Sequence, residues 1–166
     1  MEEIILQRKL EALGQNGTLI RKDGKTFLQL DCENAKELSM KWGEKLYPFT
    51  KTGKKWILEL PFSTAVNYVQ ICVDGQEVLS PDLPIAHGYC RPYNYIELPD
   101  EEGLFELRDV PHGTLTQEFY KSKISDNWEK LIVYLPPCVP SAGLPVLYLQ
   151  HGFGESEISW STTGKV

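Results

Sequence analysis

The sequence predicts a mainly β protein that begins with an antiparallel β-sandwich. Short runs of alternating apolar and polar residues recur over about the first 100 residues, and turn residues separate these runs at short intervals. No helical period lies between them. Short strands at this spacing are typical of two antiparallel sheets that face each other across one core.

The first predicted element is a short amphipathic helix at 3–13. Its apolar residues Ile5 or Leu6, Leu10 and Leu13 recur on one helical face. We expect that face to serve packing.

Tight turns define the strands that follow. Asp23-Gly24 and Asp74-Gly75 each lie between alternating runs, and an Asp-Gly pair in that position is typical of a two-residue β-hairpin. The prolines between residues 80 and 92 favour an edge strand or a connection. Together these elements predict an immunoglobulin-like sandwich. The predicted strands lie at 18–21, 26–31, 36–42, 55–60, 67–73, 76–79 and 93–98.

A polar, acidic stretch at 99–103 ends in glycine and predicts a domain boundary. We therefore expect one domain at 1–100 and a second at 104–166.

The second domain has a different pattern. Two alternating runs, at 114–122 and 129–135, predict strands on either side of a turn at 125–127. The run at 146–150 is almost continuously apolar and leads directly into His151, which predicts a strand buried on both faces of a mixed or parallel sheet.

Composition excludes several classes of function. The chain has 166 residues, of which 42% are hydrophobic, and 17 basic against 23 acidic residues give a net charge of −6. That charge disfavours a nucleic-acid surface, and we expect no nucleic-acid partner. The N-terminus carries charges through its apolar positions, so it does not resemble a secretory signal, and no apolar run is long enough to span a membrane. We therefore expect a cytoplasmic protein.

Neither a metal nor a disulfide is predicted. The four cysteines, Cys32, Cys72, Cys90 and Cys138, contain no C-x-x-C pair, and the three histidines are scattered. We expect reduced cysteines and no cofactor.

Three pieces at 110–160 carry a family resemblance. The segments VPHGTLTQEFYKS, EKLIVYLPP and LPVLYLQHGFGESEISW, in this order, resemble the start of an α/β-hydrolase family of esterases that includes esterase D-like, feruloyl and enterochelin esterases. The resemblance implies that 104–166 forms the first strands of a truncated α/β-hydrolase sheet.

Upstream residues resemble a second family. Trp56 after a turn, Val73-Asp74-Gly75 after the next strand, and Ser80-Pro81-Asp82 beyond it resemble the early-set immunoglobulin domain related to glycogen-binding carbohydrate modules. Esterases of the first family often carry such a domain at their N-terminus, so the two resemblances support each other.

The esterase resemblance also implies a role for the loop after the apolar run. Such enzymes stabilise the oxyanion of the acyl group with backbone N–H donors. One donor would map to Phe153 of the His151-Gly152-Phe153-Gly154 loop, where the glycines let the backbone approach the substrate closely.

The serine nucleophile of that family is missing. No G-x-S-x-G occurs in these residues, because Ile158 stands where the second glycine after Gly154-Glu155-Ser156 would belong. His151 is a candidate base, but a structural role in orienting its loop is favoured, since the family's catalytic histidine lies far beyond these residues. We therefore assign no catalytic residue.

These observations predict the N-terminal fragment of a carboxylic-ester hydrolase, inactive alone. The alternative is a non-catalytic carbohydrate-binding or interaction module, in which Trp42 and Trp56 stack on sugar rings, although tryptophans of small sandwiches more often belong to the core. An ester or a carbohydrate is thus the expected ligand. Strands without neighbours would also favour self-association, most simply as a homodimer.

Overall fold

The computed structural model describes residues 3–4, 18–99, 102–103, 108–137 and 143–162, and the side chains of residues 3–4 are excepted. The protein is mainly β, with several antiparallel sheets, which confirms the predicted fold class. The elements are β1 (Glu3–Ile4), β2 (Leu19–Lys22), β3 (Lys25–Asp31), β4 (Leu38–Trp42), β5 (Lys45–Pro48), β6 (Thr50–Thr52), β7 (Lys55–Glu59), β8 (Ala65–Val73), β9 (Gln76–Val78), β10 (Ile85–Gly88), β11 (Arg91–Leu98), β12 (Thr114–Lys121), β13 (Trp128–Leu135) and α1 (Ser159–Thr162).

The chain divides into two compact units. The first contains Met1–Ala86 and Arg91–Glu106, and the second contains His87–Cys90 and Leu107–Val166. The short segment His87–Cys90 therefore belongs with residues that follow it by more than fifteen positions, although the first half of β10 and the whole of β11 belong to the first unit. The predicted domains at 1–100 and 104–166 stay a prediction.

Two sheets build the first unit. One has the strand order β1-β2-β3-β7-β6, and the other has the order β10-β11-β8-β4-β5, with β9 paired to β8. Alternate residues of the strands enter one buried cluster that draws on both sheets, with Leu28 and Leu58 from one and Met40 and Ile96 from the other. Leu28, Met40 and Ile96 are fully buried. This common core is what a sandwich requires.

Both predicted Asp-Gly hairpins are confirmed. Asp23 and Gly24 have φ angles of 50° and 75°, and Asp74 and Gly75 have 49° and 82°. Positive φ at both central positions is the signature of a type I′ turn, whose twist matches that of the flanking strands. Asp74 has a second role, because its carboxylate accepts the backbone N–H of Lys36 at 2.8 Å and of Glu37 at 2.9 Å.

The predicted helix at 3–13 is not found where the structure describes it. Glu3–Ile4 instead forms β1, paired antiparallel with Arg21 and Ile20 of β2. The remainder of the predicted helix lies outside the described residues. A sheet edge offers backbone partners to a passing segment, and this pairing overrides a weak helical periodicity.

The stretch at 80–92 is more ordered than the sequence predicts, because it contains β10. Asn94, which is 1% exposed, organises it. The Asn94 carboxamide accepts the N–H of Ser80 at 2.8 Å and donates to the carbonyls of Ser80, Leu83 and Pro84 at 3.0, 3.2 and 3.3 Å. One buried amide thus satisfies the backbone of a proline-containing connection and directs it into a strand.

The second unit contains the predicted hairpin of β12 and β13. The pairing runs from Thr114 opposite Leu135 to Lys121 opposite Trp128, and Asp126 in the connecting turn has a φ of 52°. Trp128 is paired with Lys121, which lies two positions after Phe119 on β12, so Phe119 and Trp128 share one face of the hairpin. They are 63% and 72% exposed.

The predicted buried strand at 146–150 is wrong. Residues 143–150 have no regular secondary structure, and Val146, Leu147 and Tyr148 are 71%, 77% and 89% exposed. A strand is stable only when neighbours satisfy its backbone and cover its faces, and this run is paired to no strand among the described residues. The apolar pattern predicts a strand that needs neighbours to cover its faces, but the pattern alone does not show that such neighbours exist.

Candidate functional site

The His151-Gly152-Phe153-Gly154 loop forms a tight turn closed by its own backbone. The N–H of Glu155 donates to the Gly152 carbonyl at 3.2 Å, and the Gly152 N–H donates to the Glu155 carboxylate at 3.0 Å. His151 adds a contact of 2.9 Å from Nδ1 to the same Gly152 carbonyl. Since a carbonyl only accepts, Nδ1 carries a proton in this contact.

These contacts determine the direction of the Phe153 N–H. In a trans peptide the C=O and the N–H point in opposite directions, and the Gly152 carbonyl faces the Glu155 N–H and the His151 ring. The Phe153 N–H therefore points away from both. It makes no hydrogen bond to another residue in the part of the chain that the structure describes, and the Phe153 side chain is 88% exposed.

Gly154 closes the loop at a position where no other residue fits. Its φ is 75°, and a Cβ atom there would lie 2.2 Å from the Cys90 nitrogen and 2.7 Å from the Tyr89 Cα and carbonyl carbon. The Gly154 carbonyl accepts the Cys90 N–H at 3.0 Å. Both the left-handed φ and the close backbone approach require glycine.

A salt bridge connects the segment after the loop to the hairpin. Lys130 Nζ of β13 lies 2.7 Å from a carboxylate oxygen of Glu157, whose side chain is 18% exposed. Hydrogen bonding from Lys130 holds the pKa of Glu157 below its usual range, with smaller contributions in the same direction from its own backbone and from the nearby His151. The sequence alone would suggest that Glu157 is a solvated loop charge, but the structure gives it a defined partner.

The two predicted sugar-stacking tryptophans occupy different environments. Trp56 is 5% exposed, belongs to the core, and donates its indole N–H to the Cys32 carbonyl at 2.9 Å. Trp42 is only partly buried, with its ring centroid 4.9 Å from that of Phe62 and 6.4 Å from that of Tyr47. Of the pair, Trp42 is the one with a ring available at the surface.

The remaining candidate groups are dispersed. Among the described residues, no three His, Cys, Asp or Glu side chains are close enough to hold a metal ion. Cys32, Cys72 and Cys90 are free thiols, and Cys138 lies outside the described residues. Burial, the largest cause, raises the pKa of the Cys72 thiol, which makes it a poor nucleophile at neutral pH.

The sequence pattern did not point to Tyr89 and Cys90. They form a two-residue connection between β10 and β11, where type I′ turns favour Asn-Gly or Asp-Gly, but β10 itself was not predicted from the sequence. Their contact with Gly154 depends on tertiary structure and has no local signature.

No helix in the described part of the chain has the length and apolar character needed to cross a membrane.

Comparison with known proteins gives an informative similarity. No family model matches the chain. An endo-1,4-β-xylanase/feruloyl esterase of Xylanibacter ruminicola is 27% identical over 166 aligned positions, which cover 92% of this chain and 23% of that protein. The chain thus spans about a quarter of the length of this relative and is similar to one part of a protein named for carbohydrate and ester hydrolysis.

Proposed function

We propose that this chain is the N-terminal fragment of a carboxylic-ester hydrolase, in which an immunoglobulin-like sandwich precedes the first part of an α/β-hydrolase domain. It would supply one backbone donor for the oxyanion hole. The sequence contains no G-x-S-x-G, so the chain alone lacks the nucleophile of that chemistry and is inactive.

The Phe153 N–H, which makes no hydrogen bond to another described residue, is what carries the proposal. Its direction is fixed by the two hydrogen bonds to the Gly152 carbonyl, so a donor is already oriented before any ligand arrives. Such preorganisation is what stabilises a developing oxyanion, and one donor of this kind contributes roughly 10²- to 10³-fold to the rate. The similarity to a feruloyl esterase over most of the chain supports the same interpretation.

Hydrolysis of p-nitrophenyl acetate tests the proposed inactivity. We expect wild type, Ser156→Ala and His151→Ala to give the same background rate, because neither side chain acts as nucleophile or base. Ser156 is the informative position, since it follows Gly154-Glu155 as in an incomplete elbow motif. Turnover that a serine-directed phosphonate abolishes, or that Ser156→Ala removes, would contradict the proposal.

The coding sequence downstream of Val166 tests the lineage. We expect a continuation, in frame or after a frameshift, that encodes G-x-S-x-G. A downstream sequence without an elbow motif in any frame would count against the esterase assignment.

The second candidate function is carbohydrate binding by the sandwich. The exposed part of the Trp42, Tyr47 and Phe62 cluster favours it, because aromatic faces stack on sugar rings. Affinity electrophoresis in xylan and glycogen gels should show retarded wild type and unretarded Trp42→Ala. Tyr93→Ala is a control, because Tyr93 packs on Tyr68 and Arg91 instead. Wild type that migrates freely in both gels would eliminate this function.

A further inference from the structure

We propose that the Tyr89–Cys90 turn is a positioning element for the 151–154 loop, with the Cys90 N–H fixing Gly154 and thereby the peptide that presents the Phe153 N–H. The role of that N–H as an oxyanion donor rests on the function proposed above. The positioning itself does not depend on ester chemistry.

The two backbones approach each other very closely at Gly154. A Cβ atom at Gly24, which has the same φ of 75° as Gly154, would meet no other atom within 4 Å, and the same holds for Gly143. At Gly154 the corresponding distance to the Cys90 nitrogen is 2.2 Å. Gly154 is therefore constrained by contact as well as by conformation, and the contact is with Tyr89 and Cys90.

The Tyr89–Cys90 turn has an unfavourable backbone conformation. Tyr89 and Cys90 have φ angles of 51° and 64°, a region that costs free energy for residues with a side chain. Tyr89 is 72% exposed, so burial of its ring does not offset that cost. Unfavourable backbone conformations persist where surrounding contacts impose them, and the hydrogen bond from Cys90 to Gly154 is such a contact.

Phe153 lies between two carbonyls that are each held by a hydrogen bond. On one side, the Gly152 carbonyl is held by Glu155 and His151, and on the other, the Gly154 carbonyl is held by the Cys90 N–H. The backbone around Phe153 cannot rotate away from this arrangement without breaking one of these bonds. The Tyr89–Cys90 turn thus holds the Gly154 carbonyl, which the hydrogen bonds within the loop leave unheld.

Nuclear magnetic resonance of the full chain tests the contact without any substitution. A through-hydrogen-bond coupling between the Cys90 nitrogen and the Gly154 carbonyl carbon is expected in wild type. Its absence, together with Cys90 amide exchange at the rate of an unprotected amide, would overturn the proposal even if every variant failed to fold.

Matched alanine variants test the positioning. In Gly154→Ala, the Cys90 amide should exchange about tenfold faster or more, and the three-bond coupling between the Phe153 amide and Hα protons, which reports the φ angle of Phe153, should change. Gly24→Ala, which imposes the same φ without a clash, should change neither. A Gly154→Ala variant that loses stability while the Phe153 coupling keeps its wild-type value would show a merely structural contact and contradict the proposal. Because no ester is present, these outcomes are independent of whether the chain descends from an esterase.

Discussion

Replacement of Asn94 by alanine should destabilise the sandwich strongly, because one carboxamide satisfies several buried backbone groups. Its two N–H groups are shared among three carbonyls, and its oxygen accepts the Ser80 N–H. Three well-formed hydrogen bonds at about 1 kcal/mol each give a loss of about 3 kcal/mol in the free energy of unfolding. For a unit of this size, the melting temperature should fall by roughly 10–20 °C. Urea unfolding and thermal unfolding, both followed by far-ultraviolet circular dichroism, measure the two quantities.

Asn67→Ala is the matched control. Its carboxamide also donates two hydrogen bonds, to the Thr64 and Ala65 carbonyls at 2.9 and 3.2 Å, but in a solvent-exposed setting. Water replaces those bonds, so the loss should be about 1 kcal/mol or less. If Asn94→Ala costs no more than Asn67→Ala, the reasoning that burial makes the Asn94 network important is refuted.

Three further predictions concern charge and association. Glu157→Gln should cost up to about 1 kcal/mol by breaking the pair with Lys130. Because the pKa of Glu157 is lower in the folded protein than in the unfolded chain, the stabilisation by this pair is present above the unfolded pKa and is lost as the pH falls through the folded pKa. Urea titrations of wild type and Glu157→Gln should therefore give converging free energies of unfolding in acid. Asp74→Asn should lower the melting temperature at neutral pH, because two backbone N–H groups hold the pKa of the Asp74 carboxyl below its usual range. The difference in melting temperature between wild type and variant should shrink in acid, as the Asp74 carboxylate of wild type becomes protonated. A difference that stays constant with pH would contradict this reasoning. Wild type should self-associate in light scattering through the exposed Phe119 and Trp128 of the hairpin, and Phe119→Ser with Trp128→Ser should shift it towards monomer. A clean wild-type monomer at high concentration would exclude this.

Local signals predicted the sandwich well. The Asp-Gly pairs specify type I′ turns through conformational preference alone, and the alternation of β3 and β7 reveals the buried face of each strand. Such features depend on residues near each other in sequence. The β12–β13 hairpin was predictable for the same reason.

Elements that depend on distant partners were not predictable. β10 forms because Asn94 holds the preceding connection, and β1 forms because β2 offers an edge. At the candidate site, His151 to Gly154 could be singled out by resemblance, but the Cys90 contact could not, since no pattern in one chain segment encodes which backbone will approach it. The prediction at 146–150 was wrong for the converse reason. The apolar pattern predicts a buried strand, but no described strand covers this segment.

Each unit contains a tryptophan of different burial, so the intrinsic fluorescence of the protein can report on the two units separately. Trp56, enclosed in the sandwich, should fluoresce at short wavelength and resist iodide, whereas Trp128 on the hairpin should emit at long wavelength and be quenched readily. With Trp42 and Trp160 replaced by phenylalanine, the blue and red edges of one spectrum follow the two units during denaturation without any label. Coincident transitions would mean that they unfold as one cooperative system, and separated transitions would give each its own stability.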